Sequence, residues 1–230
     1  MDALLLSLRL ALYVSVILLA IGLPLAYWLA FSNWHGKFLL EALVAMPLVL
    51  PPTVLGFYVL IAMGPRGPLG KLWQMFFGHG LAFTFEGLVL ASVLYSFPFA
   101  VQPLISSFES VDRKLLDASA VLGAGRLKTF WRVILPLSIP GLVTAVVLSF
   151  AHTMGEFGVV LMVGGNLAGV TRTVSIAIFD QVQSLNYAQA NRLSLVLLAI
   201  CFSVLVIVYA VNRQVGRQIG RRLWTSWAAK

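Results

Sequence analysis

Five stretches of the chain are long, apolar and almost free of charge. A membrane-spanning helix needs about 20 such residues, because backbone polar groups in lipid must be satisfied by helical hydrogen bonds. The spans are predicted over residues 10–31, 42–63, 87–108, 137–163 and 193–211. The runs lack the alternation of membrane β-barrel strands. The sequence therefore predicts an all-α integral membrane protein with five transmembrane helices, forming a single domain over residues 1–230.

Prolines interrupt two of the predicted spans. The second contains Pro47, Pro51 and Pro52, and the third contains Pro98 and Pro103. Each proline removes a helical hydrogen bond and bends the helix, and a freed carbonyl at membrane depth is tolerated only against protein or water. We expect the second span to line a pathway or to pack in the centre of the bundle. A plain structural kink is the alternative, since proline is common in membrane helices.

The fourth predicted span contains a carboxylate, Glu156, flanked by Gly155 and Gly158. An ionisable group at this depth is a functional-site hypothesis, and the glycines allow close helix approach. We expect a structural role, in which Glu156 pairs with a donor across the bundle, and a proton relay is the alternative. His152 lies one turn earlier on the same face and is a candidate partner. No metal site is expected, because too few further ligands accompany this pair.

Residues 109–136 form the most polar connection and are predicted to contain two short helices joined by a glycine turn. Asp112 is the expected N-cap of the first helix, Gly123 its left-handed C-terminal residue, and Pro136 the limit of the second. Apolar residues recur at helical spacing in both. The first face comprises Val111, Leu115, Ala118 and Leu122, and the second Leu127, Phe130, Trp131 and Ile134. This periodicity fits a helix docked in another protein's groove and an amphipathic helix resting on lipid equally well.

Composition and charge fix the expected orientation. Hydrophobic residues make up 60% of the chain and charged residues 10%, far below the roughly 25% charge of soluble domains. The net charge of +8 is interpreted as a topology signal and lipid contact, not as nucleic-acid binding. Eleven of the sixteen Lys and Arg residues fall on one side of the five spans. By the positive-inside rule that side is cytoplasmic, so the N-terminus is predicted to be periplasmic and the C-terminus cytoplasmic.

Two features complete the view from composition. The single cysteine, Cys201, lies in an apolar run, so no disulfide is expected. No cleavable signal peptide is expected either, and the first apolar run is interpreted as a retained span. Of the two long periplasmic connections, residues 64–86 and 164–192, the second includes residues 175–182. That stretch is too short and polar to span, and is predicted to form a short helix at the pore mouth or to re-enter the membrane.

The polar connection also carries a family motif. Asp117-Ala118-Ser119, then Gly123 four residues on, then Val133-x-Leu135-Pro136 resembles the EAA motif of ABC importer permease subunits. That motif reads E-A-A, three residues, G, nine residues, I-x-L-P. The chain departs from it with Asp for Glu, Ser for the second Ala and Val for Ile. In that family the loop is a coupling helix that docks into a cleft of the ATPase. The resemblance assigns to this coupling Asp117, Ala118, Ser119, Leu122, Gly123, Leu135 and Pro136.

A second likeness runs over nearly the whole chain. Residues 48–56, Gly155-Glu-Phe-Gly158, Gly165-Asn166 and residues 171–178 look like the molybdate permease subunits of that family. Gly-Glu-Phe-Gly is shared with sulfate and tungstate relatives, whereas residues 171–178 favour molybdate. The resemblance implies a type I ABC importer permease fold and molybdate import across the inner membrane, with sulfate, thiosulfate or tungstate as alternative cargoes. Because Glu156 would repel such anions, direct substrate binding by it is not expected.

The resemblance also implies partners. A homodimer of permease chains would work with two ATP-binding ABC subunits and a periplasmic oxyanion-binding protein, as a multi-pass assembly in the cell inner membrane. Arg172, on the periplasmic side between two threonines, would guide an oxyanion or contact that binding protein. A solvated loop charge is the alternative interpretation of Arg172.

Catalysis by this chain is not expected. It has no G-x-x-x-x-G-K-[ST] phosphate loop, so no cofactor is expected in it, and ATP and Mg²⁺ are assigned to the partner ATPase. Two function classes compete with the permease. One is a secondary transporter that uses Glu156 and His152, although no inverted repeat supports it. The other is a membrane-embedded structural or assembly subunit.

Overall fold

The computed structural model describes the backbone of residues 2–228 and the side chains of residues 2–210, 212 and 213. This part of the chain is helical and contains no strand. The helices are α1 Asp2–Phe31, α2 Lys37–Val49, α3 Pro52–Met63, α4 Pro68–Phe77, α5 Phe85–Glu109, α6 Arg113–Val121, α7 Arg126–Thr129, α8 Leu135–Leu137, α9 Ile139–Gly155, α10 Gly158–Gly164, α11 Val174–Gln183 and α12 Tyr187–Ala228. A π-helical segment, Phe130–Ile134, joins α7 to α8.

The centre of the molecule is formed by α1, α5 and α9, which pack against one another. Helix α1 buries residues at intervals of three and four, including Leu10, Val14 and Leu18, so one stripe of an otherwise apolar helix faces the protein. Opposite this stripe, α5 buries Leu88 and Leu104. The remaining apolar faces are exposed, as expected where lipid replaces water.

Contacts between chain segments define two ends of the bundle. At the first end, the Val174 N–H donates to Ser7 Oγ over 2.8 Å, and the Phe83 N–H donates to the Val163 carbonyl over 3.0 Å. We call this the N-terminal end. At the opposite end, Lys37 Nζ lies 4.0 Å from Glu109 Oε1, and α6 follows directly. We call this the loop end, because the connection of residues 109–136 lies there.

The predicted second span is divided. Residues 42–63 fall on α2 and α3, whose axes meet at 111°, and Leu50 between them is extended, with ψ 135°. The break has a simple cause, because Pro51 and Pro52 both lack the N–H that would continue the helix. Pro47 has a milder effect, since α2 continues through it.

The predicted fourth span, residues 137–163, is also divided. Helix α9 ends at Gly155, Glu156 is extended with ψ 133°, and α10 begins at Gly158. At the other end of α9, the helices of residues 126–137 meet it at 72°. The third span differs, since α5 runs without interruption through Pro98 and Pro103.

Among the residues that the structure describes, three helices are each long and apolar enough to cross a membrane: Asp2–Phe31, Phe85–Glu109 and Tyr187–Ala210. The number rises to five if each bent pair forms one span. Residues 175–182 lie in the short helix α11, as predicted, and α11 packs against α12, α1 and α9. Of the basic residues counted for orientation, Arg217, Arg221 and Arg222 lie where only the backbone is described, and Lys230 lies outside the described residues.

Candidate functional site

The glycine turn of the loop end has the local geometry that the sequence predicts. The Asp112 carboxylate accepts a hydrogen bond of 2.9 Å from the Lys114 N–H, and so caps α6. Gly123 has φ 71°, the left-handed conformation that a side chain disfavours. The Gly123 and Ala124 N–H groups donate to the carbonyls of Ala120 and Ser119, which closes the C-terminus of the helix. Both predictions, the Asp112 cap and the left-handed Gly123, are confirmed.

The apolar face predicted for α6 is mostly exposed. Val111 is buried in the core, but Leu115 and Leu122 are 46% and 85% exposed. Ala118 and Asp117 are exposed as well. The apolar residues of this face and their apolar neighbours form a surface that no other described residue covers. This coupling surface comprises Leu115, Ala118, Val121, Leu122 and Leu127.

Ser119 is the buried member of the predicted coupling set, with 9% exposure. Its hydroxyl lies 2.8 Å from the hydroxyl of Thr129, so a side-chain hydrogen bond joins α6 to α7. The family motif has alanine at the position of Ser119, and that residue could not make this bond. Thr129 is a functional candidate that sequence analysis missed, because a bond across ten residues leaves no periodic signal.

The second predicted stripe of the loop divides between interior and surface. Phe130 and Ile134 pack into the core, whereas Leu127 and Trp131 are 73% and 60% exposed. Here the helix widens, since the Leu135 N–H donates to the Phe130 carbonyl five residues earlier. Such π segments frequently occur at functional sites. Leu135 and Pro136 thus lie where the loop-end helices turn into α9.

The two divided spans contact each other at their breaks. Helix α3 packs against α10, and a Cβ built on Gly158 would lie 2.6 Å from Pro52 Cβ. Only glycine allows this approach, because real Cβ contacts are not that short. The structure therefore brings together Pro52 and the Gly155–Gly158 stretch, two predicted pathway elements about one hundred residues apart. Pro51 is the N-cap of α3, and Gly155 faces open space. We call this contact the break junction.

Glu156 is part of the break junction and bonds locally. Its Oε1 accepts a hydrogen bond of 2.7 Å from the Val159 N–H, at the start of α10, although the side chain is buried. Its carbonyl accepts a bond from the Ser175 hydroxyl of α11. The expected bond to His152 or to another donor side chain across the bundle is not found among the described residues. A carboxylate at a helix start satisfies N–H groups that have no helical partner.

His152 has a different set of neighbours. Its Nδ1 lies 2.9 Å from Ser96 Oγ, and Ser96 also lies 3.0 Å from Thr153 Oγ1. The imidazole stacks on Phe99, with ring centroids 4.0 Å apart. This polar cluster joins α5 to α9 close to the break junction. Ser96 was missed by sequence analysis, since one serine in a long apolar run carries no distinguishing pattern.

Arg172 lies at the N-terminal end of the bundle, within an ion-pair network. Its Nε donates to Asn166 Oδ1 over 2.6 Å and lies 3.6 Å from Asp180 Oδ2. The Asn166 amide donates to both oxygens of Asp180. These contacts tie the loop after α10 to α11 and neutralise the arginine charge. Contact with an oxyanion or a binding protein stays a prediction for Arg172.

No metal centre is formed by the described residues, since no group of three or more His, Cys, Asp or Glu side chains converges among them. The two candidate sites are thus the coupling surface at the loop end and the break junction between α3 and α10. Neither has the arrangement of nucleophile and base that a catalytic site requires. The first has uncovered apolar area, and the second has two interrupted helices.

Comparison with known proteins identifies relatives over most of the chain. Residues 22–217 match the family of binding-protein-dependent transport system inner membrane components. The molybdenum transport system permease protein ModB of Azotobacter vinelandii is 51% identical over 93% of this chain and 94% of its own length. A probable sulfate transport system permease protein, cysT, of Helicosporidium sp. subsp. Simulium jonesii is 30% identical over 91% of this chain and 77% of its own.

The fold is shared with solved transporters at much lower identity. A chain in the crystal structure of a bacterial alginate ABC transporter, in complex with an alginate pentasaccharide-bound periplasmic protein, has a TM-score of 0.75 with 14% identity. The match covers 93% of this chain and 78% of that chain. At this identity the likeness shows the fold alone.

Proposed function

The chain belongs to the family of binding-protein-dependent transport system inner membrane components, and from this premise we propose that it is the permease subunit of an ATP-driven importer for molybdate. The cargo assignment draws on the 51% identity to the molybdenum permease, against 30% to the sulfate permease. The coupling assignment draws on one structural observation. Apolar residues around Gly123 are 73–88% exposed at the loop end (Val121, Leu122 and Leu127), and such a surface fits an interface with a partner protein.

The proposed orientation has the loop end in the cytoplasm. Six of the counted basic residues belong to this end, namely Lys37, Arg113, Lys114, Arg126, Lys128 and Arg132. Each bent helix pair then forms one broken span, which gives five crossings with the N-terminus in the periplasm. An excess of Lys and Arg near the ends of spans is the strongest orientation signal in a membrane protein.

The proposed partners are a second permease chain, two ATPase subunits and a periplasmic oxyanion-binding protein. A cargo pathway needs walls on all sides, and five crossings provide half of them. A two-fold symmetric pair would complete it. Helix α12 has a large exposed apolar surface, since only 6% of its most apolar 18-residue stretch is buried. Lipid and the second chain would share this area.

Energy must reach the pathway from outside the chain. Moving a dianion inward against 100 mV costs about 4.6 kcal/mol, twice the value for one charge, and this chain has no phosphate loop to bind ATP. In the proposed cycle, closure of the ATPase subunits moves α6 toward the two-fold axis of the permease pair. The Ser119–Thr129 bond and the π-helical segment transmit that motion to α9, and the break junction changes its shape.

Substitution of Gly123 tests the coupling. Gly123→Val places a β-branched residue at φ 71°, which costs about 1–3 kcal/mol and distorts the turn. Co-purification of the ATPase and molybdate uptake should be lost, while membrane insertion is retained. Gly125→Val is the matched control. Gly125 has φ −67° and, like Gly123, no atom within 4 Å of an added Cβ. Normal uptake by Gly123→Val would refute the coupling role.

The cargo is tested by competition. In proteoliposomes holding the permease, the ATPase and the binding protein, ATP-dependent uptake of labelled molybdate should be blocked by excess unlabelled molybdate. Tungstate has similar size and charge and should compete next best. Stronger competition by sulfate than by unlabelled molybdate would instead support a sulfate permease. Uptake by the permease alone, without ATP, would instead support the secondary-transporter class.

A further inference from the structure

Two cavities adjoin at the loop end, between the C-terminal part of α1 and the coupling loop. Each has a volume of about 490 Å³, within the range of small-molecule sites. The first, the head pocket, has mixed walls, in which the polar side chains of Ser32, Arg126 and Thr129 lie among apolar ones. The second, the chain groove, is walled by apolar residues that include Leu23 and Phe130. Tyr27 and Arg126 line both cavities, so the two adjoin at these side chains.

The positive charge of Arg126 makes the head pocket favour an anionic group. Arg126 is exposed, and the ion pairs among the described residues involve only Lys37 and Arg172 as the basic members. Of the described side chains, no Asp or Glu lines either cavity. A guanidinium without a carboxylate partner presents its fork of donors to a phosphate. The head pocket thus favours an anionic group, while the chain groove favours an apolar chain.

The depth of this site matches the lipid headgroup region. Three tryptophans, Trp28, Trp34 and Trp131, are 42%, 51% and 60% exposed around it, and tryptophan is enriched at membrane–water interfaces. The chain groove continues from there along α1 to Ala20 and Pro24, in the part of the helix that the membrane core surrounds. A ligand that fills both cavities has its polar group at the interface and its apolar group in the membrane.

Aromatic packing gives the site a fixed wall. The ring of Tyr27 lies 5.2 Å from that of Phe130 and 5.1 Å from that of Phe31, between ring centroids. It also meets the buried Phe108 edge to face. Because these contacts join α1, α5 and the π-helical segment, the wall that Tyr27 gives to both cavities is formed before a ligand binds.

We propose that the head pocket and chain groove bind one anionic phospholipid of the inner leaflet, with its phosphate at Arg126 and an acyl chain along α1. Arg126 is the first residue of α7 and follows the glycine turn directly. A lipid held there stabilises the coupling loop on its membrane side, where it covers Leu127. The rest of the coupling surface, including Val121 and Leu122, stays open to the ATPase. The inner-leaflet placement rests on the proposed orientation of the loop end and is independent of the cargo.

Lipid retention by the full-length chain tests the site. The chain is purified from nanodiscs that contain equal amounts of phosphatidylglycerol and phosphatidylcholine, and retained lipids are counted by native mass spectrometry. We expect one phosphatidylglycerol to be retained in preference. Arg126→Gln should lower its retention about fivefold, the effect of one basic residue near an anionic surface. Lys128→Gln is the matched control, because Lys128 is exposed but lines neither cavity.

A second variant tests the groove independently of charge. Ala20→Phe fills the chain groove and should also release the lipid, whereas Val16→Phe, on an exposed part of α1 outside the groove, should not. Free glycerol phosphate should fail to displace the lipid, since it lacks the chain. Equal retention of both lipids, or unchanged retention in Arg126→Gln, would overturn the proposal. So would loss of the lipid when the ATPase binds, which would assign the site to that partner.

Discussion

At the scale of single residues, the most informative side chain is Glu156. From its position in the fourth predicted span, we expect its carboxylate to pair with a donor across the bundle. In the structure its carboxylate bonds to the Val159 N–H three residues away, and its backbone carbonyl is held by Ser175. The side chain thus satisfies an N–H group at the start of α10 that has no helical partner. This is a local structural role and requires no proton transfer.

The role of Glu156 is tested by comparing two substitutions. Glu156→Ala removes the acceptor at the start of α10 and should lower stability by about 1 kcal/mol, a typical cost for a lost cap. The melting temperature of the purified chain should fall by about 2–4 °C. Glu156→Gln keeps an oxygen acceptor and should remain near the original stability and uptake. If Glu156→Gln abolished transport while preserving the melting temperature, a proton-relay role would gain support instead.

At the scale of helices, the break junction is where the two divided spans contact each other. Two interruptions of different chemistry, the Pro51–Pro52 pair and the Gly155–Gly158 stretch, face one another because α3 packs on α10. Each interruption leaves backbone groups without helical partners, which membrane proteins place against protein or a water-filled cavity. The two breaks share one protein environment, so they form a single structural unit.

Enlarging Gly158 should disrupt that unit. In Gly158→Ala the new methyl group would meet Pro52 at 2.6 Å and force α3 away from α10, at a cost of about 1–3 kcal/mol. Both thermal stability and uptake should decrease. Gly155→Ala is the matched control, since nothing lies within 4 Å of its added Cβ, and it should behave like the unmodified chain. Equal thermal stability and uptake in the two variants would show that the close contact between Gly158 and Pro52 is not needed for function.

At the scale of the whole molecule, the question is which end faces which compartment. The N-terminal end carries α4 and the Arg172 network, and the loop end carries α6 and most of the basic residues. An ATPase that docks at α6 requires the loop end to lie in the cytoplasm. An experiment that contradicts the proposed orientation would therefore also contradict the coupling proposal.

Cysteine labelling checks the orientation directly. In a Cys201→Ala background, Met75→Cys at the exposed surface of α4 should react with a membrane-impermeant maleimide in spheroplasts. Ala118→Cys, on exposed α6, should react only after the membrane is opened. The first variant is the positive control for the second. Labelling of Ala118→Cys in sealed spheroplasts would place the coupling surface outside and contradict the proposed mechanism.

Local features were predictable from the sequence where one short segment determines them. The cap at Asp112, the left-handed Gly123 and the short helix at residues 175–182 each depend on the local backbone and a few neighbours. The run of apolar residues likewise predicted the long helices α1, α5 and α12. In the second and fourth spans, hydropathy alone gave unbroken runs, because it measures transfer into lipid and does not detect where the backbone leaves the helical conformation.

The sequence by itself determined that this is a helical membrane protein with a basic loop built around Gly123, since transfer energies and backbone conformational limits act locally. Only the tertiary structure decided that Pro52 meets Gly158, that Ser119 bonds Thr129, and that Arg172 is neutralised by Asp180. These pairs depend on how helices pack in three dimensions. Packing depends on shape complementarity between distant segments, and no local pattern of residues encodes that complementarity.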